Sequence, residues 1–234
     1  MDNLQTLRSL YLQCRASGTP VDPHTAAVAI RAVGDYASIR GAYYNGIFES
    51  VSNYLGGYMG IATARGEMKK ACATAFLDAF ETGWVDTQGA GATYEPEPED
   101  SEWLATRMQQ EFAFIDSTFQ TMKAMKADAE EPLTEDEIVS YATARAVGYT
   151  ASLDAVYGQG KLRSQKNKML TLDGPDGQES CRTCQKYKGQ RHRASWWISR
   201  DLVPAPGNEN YECGGWQCQH ILSDDSGNQW TGTV

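Results

Sequence analysis

Forty residues near the carboxyl end constrain this chain more than any other stretch. They read Cys181-Arg-Thr-Cys184, then twenty-eight residues containing His192, then Cys213-Gly-Gly-Trp-Gln-Cys218-Gln-His220. Four of the six cysteines and two of the three histidines fall inside this window. A CxxC pair facing a second Cys/His cluster is the spacing of a structural zinc site, because a two-residue gap lets one tight turn present two sulfurs to a single tetrahedral ion. Cys181 and Cys184 would form that turn, and Cys213 and Cys218 are the preferred partners. His220 is the substitute, with His192 in reserve. Gly214 and Gly215 would let the backbone turn between ligands at no Cβ cost.

Two other chemistries use such cysteines. A disulfide pair requires an oxidising compartment, and a redox CxxC belongs to a βαβ pattern that the flanking sequence lacks. A nucleophile–base pair, Cys184 with His192 or Cys218 with His220, has no evident Asp or Asn to orient it. A hydrolytic zinc site would want an open position and a nearby carboxylate, for which Glu179 and Glu212 are the candidates. The surplus of sulfur fits ligation better than catalysis, so no enzyme activity is expected.

Six cysteines in 234 residues are too few for a disulfide scaffold, and 41% hydrophobic residues suffice for a sizeable core. Residues 1–17 do not form the apolar block of a signal peptide, and no apolar run approaches the roughly 18–20 residues that span a bilayer. Folding in a cytosol, with reduced thiols, is the expectation. Charge is uneven: residues 1–157 carry 11 basic and 22 acidic side chains, whereas residues 158–220 carry 10 and 6. The acidic part would repel phosphates. Lys161, Arg163, Lys166, Lys168, Arg191 and Arg193 are the candidate nucleic-acid contacts in the basic part.

Ahead of the cluster the periodicity is helical. Leu4, Leu7, Tyr11 and Cys14 suggest a short amphipathic helix, and Asp22-Pro23 a restart. Residues 24–65 carry a tyrosine-rich apolar face interrupted by glycines, so this segment should either depend on packing or break into pieces. A clearer helix covers 67–84, with Cys72 on its apolar side as a small core residue. Glu95-Pro-Glu-Pro-Glu-Asp100 reads as an exposed acidic loop, and Ser101 as the cap of the next helix. Thr134 to Glu137 is a capping box, and Gly158 and Gly160 should end the helix it opens. Met169 to Leu172 looks like a strand, Asp173 to Gly177 like a turn, and Trp196-Trp197-Ile198 with Leu202-Val203 like a small apolar cluster. The expected fold is mainly α. It has an N-terminal multi-helix domain, comprising a helical region at 1–85, an acidic Pro/Gly linker at 86–100 and a helical hairpin at 101–160. A small α+β zinc-knuckle-like module follows at 161–222, then a polar, extended tail at 223–234.

Residues 138–222 resemble the phage head-morphogenesis proteins of the Mu F-like family, the minor head or minor capsid proteins. The resemblance is carried by Ala142-Thr-Ala-Arg145 and Gly148 on the helix, by Cys181-Arg-Thr-Cys184-Gln-Lys-Tyr187-Lys-Gly189, and by Pro204 or Pro206 followed by Cys213 to His220 and Ile221-Leu222. In the family the closing cluster runs His, two residues, Cys, one residue, Cys; here it is Cys213, four residues, Cys218, one residue, His220. The resemblance implies a structural virion protein, oligomeric in the particle and near the portal vertex. Its expected partners are portal, capsid or connector proteins, with no membrane, and it would be found in the virion and, during assembly, in the host cytoplasm. The structural Zn²⁺ would stiffen a docking module. The alternative is a nucleic-acid-binding zinc protein that touches packaged DNA during packaging or ejection.

Overall fold

The computed structural model describes residues 35–88, 92–174, 180–215 and 220–231. The expected helix at 2–16, the Asp22-Pro23 restart and Cys14 lie outside them. Asp35 accepts the Ser38 N–H at 2.9 Å and caps α1, Tyr36–Leu55. Ile39, Tyr43, Ile47, Val51 and Tyr54 recur at three and four residues along α1 and are buried. The glycine-rich stretch does break into pieces, at residues 56–60. Gly56 is the C-cap of α1 and Gly60 the N-cap of α2, Ile61–Asp86. Tyr58, in that break, is 86% exposed and contributes nothing to the core.

Helix α2 is the centre of the helical body and packs against α1, α3 (Pro98–Asp128) and α4 (Glu135–Ser164). Its Met68, Cys72, Phe76 and Phe80 are fully buried. Each such apolar side chain contributes about 1.5–3 kcal/mol of burial. At the C-terminal end of α2, Trp84 and Phe80 meet Tyr94 edge-on at 5.8 and 6.2 Å, and Phe80 stacks on Trp103 of α3 at 5.9 Å. Tyr94 therefore pins the segment expected to be an exposed loop. Helix α3 also starts earlier than Ser101. Glu97 and Asp100 form a reciprocal capping box with Pro98 in the first turn, a role that Asp100 serves while fully buried. Asp100 accepts a hydrogen bond from Arg163 at 2.9 Å, and the guanidinium lies 4.8 Å from the Trp103 ring centre.

Helix α4 opens on the expected capping box: the Thr134 N–H donates to Glu137 at 2.8 Å. It does not end at Gly158 or Gly160 but runs on to Ser164. The glycines serve close approach instead. A Cβ on Gly160 would sit 2.1 Å from the Phe80 carbonyl oxygen, and one on Gly83 would sit 2.2 Å from that of Tyr157. The backbones of α2 and α4 touch at this crossing, where any side chain would force them apart. Gly158 faces the C-terminal segment, with the Trp230 carbonyl 3.0 Å from where its Cβ would be.

The expected strand is β1, Met169–Asp173, the middle strand of a three-stranded antiparallel sheet of order β2-β1-β3. Strand β2 is Arg191–Arg193 and β3 is Ile221–Ser223; Leu170 pairs with His192, and Leu172 with Leu222. Between β1 and β2 lies a short helix, α5 (Arg182–Tyr187), and α6 (Ala194–Ser199) follows β2 directly. Leu170, Leu172, Trp197, Leu202, Val203, Leu222 and Trp230 form a second apolar cluster, to which α4 contributes Leu162. The tail is not the extended polar segment expected. Leu222 accepts from the Trp230 N–H at 2.7 Å, its own N–H donates to Thr231 Oγ1 at 2.8 Å, and Trp230 is buried. The described chain is thus mainly helical with one small sheet near the carboxyl end.

Two glycines of α4 should respond oppositely to alanine. Gly148 has nothing within 4 Å of the place a Cβ would take, so Gly148→Ala should raise stability by up to ~1 kcal/mol through helix propensity. Gly160→Ala should lower it by at least ~1–3 kcal/mol through overpacking. Urea denaturation of both variants checks this, and equal effects would refute the crossing.

Candidate metal centre

Cys181 is the N-cap of α5, and its sulfur accepts the Cys184 N–H at 3.5 Å. Cys213 also lies near enough to this sulfur, together with Cys184, to favour its thiolate form. Cys184 and Cys213 are thus both neighbours of Cys181, although thirty-two positions separate Cys181 from Cys213 along the chain. Cys184 is buried and the other two are half-buried; all three are free thiols. Burial pushes the Cys181 thiol up, but the N–H and thiol donors of Cys184 and Cys213 outweigh it and hold the thiol below its ordinary value. A sulfur in that setting is suited to ligation as a thiolate.

The two sides of this cluster are fastened by polar contacts of their own. The Arg182 N–H donates to Glu212 at 2.9 Å, and the Thr183 hydroxyl donates to the Asn210 carbonyl at 3.2 Å. Behind them, Tyr211 donates to the Leu202 carbonyl at 2.8 Å, and the Asn208 amide donates to the carbonyls of Asp201 and Val203. Gly214 and Gly215 turn the chain at φ of 61° and 74°, as expected. A Cβ on Gly215 would overlap the Ala205 carbonyl oxygen at 1.8 Å.

Of the remaining candidates, Cys218 lies outside the described residues, as does Glu179. His220 is buried, and its Nε2 has no hydrogen-bond partner among the described residues. Burial, with a smaller contribution from Lys188, holds its ring below the ordinary histidine value and keeps it neutral, the form that ligates. Among the described residues no group of three or more Cys, His, Asp and Glu side chains is arranged to hold a metal ion. The zinc-knuckle part of the expected fold is therefore without support among the described residues, where Cys181, Cys184 and Cys213 are neighbours but do not by themselves form a metal-binding group. His192 is not among them: it stacks on Trp196 with ring centres 3.6 Å apart and contacts Gln190 at 3.1 Å. Glu212 is engaged by Arg182, as described above.

Most of the candidate nucleic-acid residues are already engaged within the protein. Arg163 is buried on Asp100, Lys166 reaches Glu97 at 2.5 Å, Lys168 reaches Asp224 at 3.0 Å and Arg191 grips Asp225 at 2.5 and 3.0 Å. Lys161 donates to the Gln229 carbonyl at 2.8 Å. Arg193 alone of the six is left without such a contact among the described residues.

The helical body holds a buried polar group that the periodicity did not single out. Glu111 is 1% exposed, 3.1 Å from Arg107, which also donates to Ser152. The i,i+4 pair Arg107–Glu111 on the apolar side of α3 was the available signal. Burial, offset only in part by Arg107 and Ser152, pushes the Glu111 carboxyl up to about 7 from 4.5. No helix among the described residues is long and apolar enough to cross a membrane. No protein-family model matches this chain, and no curated protein or solved structure is significantly similar to it.

Glu111 binds a proton in the folded chain that it releases in the unfolded chain between pH 4.5 and about 7. Its contribution to stability is therefore complete below pH 4.5 and is lost as pH rises through 7, by an amount on the order of 3 kcal/mol. Glu111→Gln should flatten that slope, measured as unfolding free energy from pH 5 to 8; an unchanged slope would contradict the assignment. The thiols give a second test. In metal-free protein, iodoacetamide should label Cys181 ahead of Cys72, whose thiol burial pushes well above its ordinary value. Mass-spectrometric mapping showing Cys72 labelled first would refute the environments described.

Proposed function

We propose that this chain is a structural assembly protein of a phage-like particle, without catalytic activity, whose carboxyl-terminal module is a docking element set by Zn²⁺. The observation that carries the reading is the meeting of Cys184 and Cys213 at Cys181. Cys181, Cys184 and Cys213 would hold the ion, with Cys218 or His220 as the fourth ligand. Four such donors make a closed structural site rather than a reactive one.

The particle context comes from the resemblance of residues 138–222 to the Mu F-like minor head proteins. The fold is compatible with it in a specific way. Helix α4 belongs to both apolar clusters, since Leu153 and Val156 pack in the helical body and Leu162 in the sheet module. A load on the module would be transmitted to the body through a continuous helix. On this reading the chain is oligomeric in the particle, near the portal vertex, and its partners are portal, capsid or connector proteins.

Purified protein should contain about one zinc per chain, consistent with a closed tetrahedral site, and should co-migrate with a portal protein on gel filtration. Cys213→Ser should lose the metal and, with it, several kcal/mol of module stability. Cys218→Ser and His220→Ala then identify the fourth ligand, since only the true one lowers metal content. Protein free of metal, or with metal unaffected by Cys213→Ser, would contradict the zinc site. Failure to associate with any portal, capsid or connector protein would contradict the assembly role.

A further inference from the structure

Residues 180–200 contain six basic side chains and no acidic one, in a protein whose net charge is −9. The structure divides these six. Arg191 is bound by Asp225, Arg182 lies 3.9 Å from Glu212, and Lys188 is engaged elsewhere. Lys186, Arg193 and Arg200 have no carboxylate partner among the described residues, in contrast to the upstream run, where Arg163, Lys166 and Lys168 are each paired. Arg182, Lys186 and Arg200 surround a single hollow of about 460 Å³, whose wall Thr183 and Asn210 complete with polar groups bonded to each other and to Asp201.

The cations sit among aromatic rings. The Arg200 guanidinium lies 4.5 Å from the Trp196 ring centre, and His192 stacks on the same indole at an interplanar angle of 12°. The Lys186 ammonium is 5.0 Å from the Tyr187 ring centre. Tyr187 in turn meets Trp196 edge-on at 6.2 Å. Ring contacts hold the two exposed cations in place, so less side-chain entropy is lost when an anion arrives.

We propose that this surface, centred on Lys186 and Arg200 with Arg182 at its margin, binds the phosphate backbone of nucleic acid. Planar guanidinium and ammonium donors suit phosphate oxygens, and ring-bearing neighbours suit bases. The hollow would seat one phosphate group, and a neighbouring phosphate would fall to Arg182. The site differs from the linear basic run at 161–168, where Arg163, Lys166 and Lys168 are each paired with a carboxylate. It rests on charge and geometry at α5 and α6 and does not depend on the metal reading.

Fluorescence anisotropy of the full-length protein with a labelled single strand and a duplex of the same sequence tests this, beginning near 50 mM salt, where phosphate contacts are strong. At least one of the two should bind, weakening as salt rises. Lys186→Ala combined with Arg200→Ala should reduce affinity about tenfold or more and lower the salt slope by roughly 1.8 for duplex, about 0.9 for each phosphate no longer neutralised. A control pair on the helical body, Lys70→Ala with Lys123→Ala, should leave both unchanged. No binding of either probe at low salt, or an equal loss in the control pair, would overturn the proposal. Metal content read on the same samples separates this outcome from the fate of the zinc site.

Discussion

The contact on which the rest of the described structure depends is the crossing of α2 and α4 at Gly83 and Gly160. Carbonyl oxygens of one helix occupy the space that a Cβ on the other would need. Such an approach sets the angle and depth at which α4 lies on the body, and from that the position of everything after it. Three residues beyond Gly160, Arg163 reaches the buried Asp100 that caps α3. One residue earlier than that, Leu162 enters the apolar cluster of the sheet module. A buried ion pair costs several kcal/mol of desolvation per charge and is weak evidence for net stability. Its value here is register: Asp100 and Arg163 satisfy each other only if α4 runs the full length observed.

The same continuity explains how a small sheet with short flanking helices can persist. Strands of three to five residues bury little surface by themselves. Leu170, Leu172 and Leu222 gain their core from Trp197, from Leu162 and from Trp230 of the returning tail. The tail is bound at Leu222 and at Lys161, so the last described residues close the module rather than trail from it. Polar contacts among Arg182, Thr183, Asn210 and Glu212 then bring the Cys181 turn against the Cys213 loop. An ion at the three sulfurs would reinforce a juxtaposition that hydrogen bonds already favour.

Much of this was legible from the residues. The helical periods of α1, α2 and α3, the capping box at Thr134, the strand at Met169 and the Trp197 cluster all follow from spacing and local chemistry. The spacing also pointed to the Cys181 turn and the Cys213 loop as neighbours, while leaving disulfide, redox and nucleophile chemistries as alternatives for the same sulfurs. The misses share one cause, which is that tertiary contact reassigned a local signal. Gly158 and Gly160 look like helix terminators because glycine is a common C-cap, yet here they admit a neighbouring backbone. Glu97 and Asp100 look like a solvated acidic run, yet they cap α3 and pair with Lys166 and Arg163. The polar tail carries one tryptophan that decides its position. The basic run from Lys161 suggested a phosphate surface because sequence counts charges without showing which are already neutralised.

The central proposal is that thiolates from the Cys181 turn and the Cys213 loop would share one zinc ion. X-ray absorption at the zinc edge of protein purified without a metal-binding tag tests it most directly. The account predicts a first shell of four ligands, at least three of them sulfur at about 2.3 Å. A shell of oxygen and nitrogen alone, or no bound zinc with Cys181 and Cys213 joined as a cystine, would contradict it.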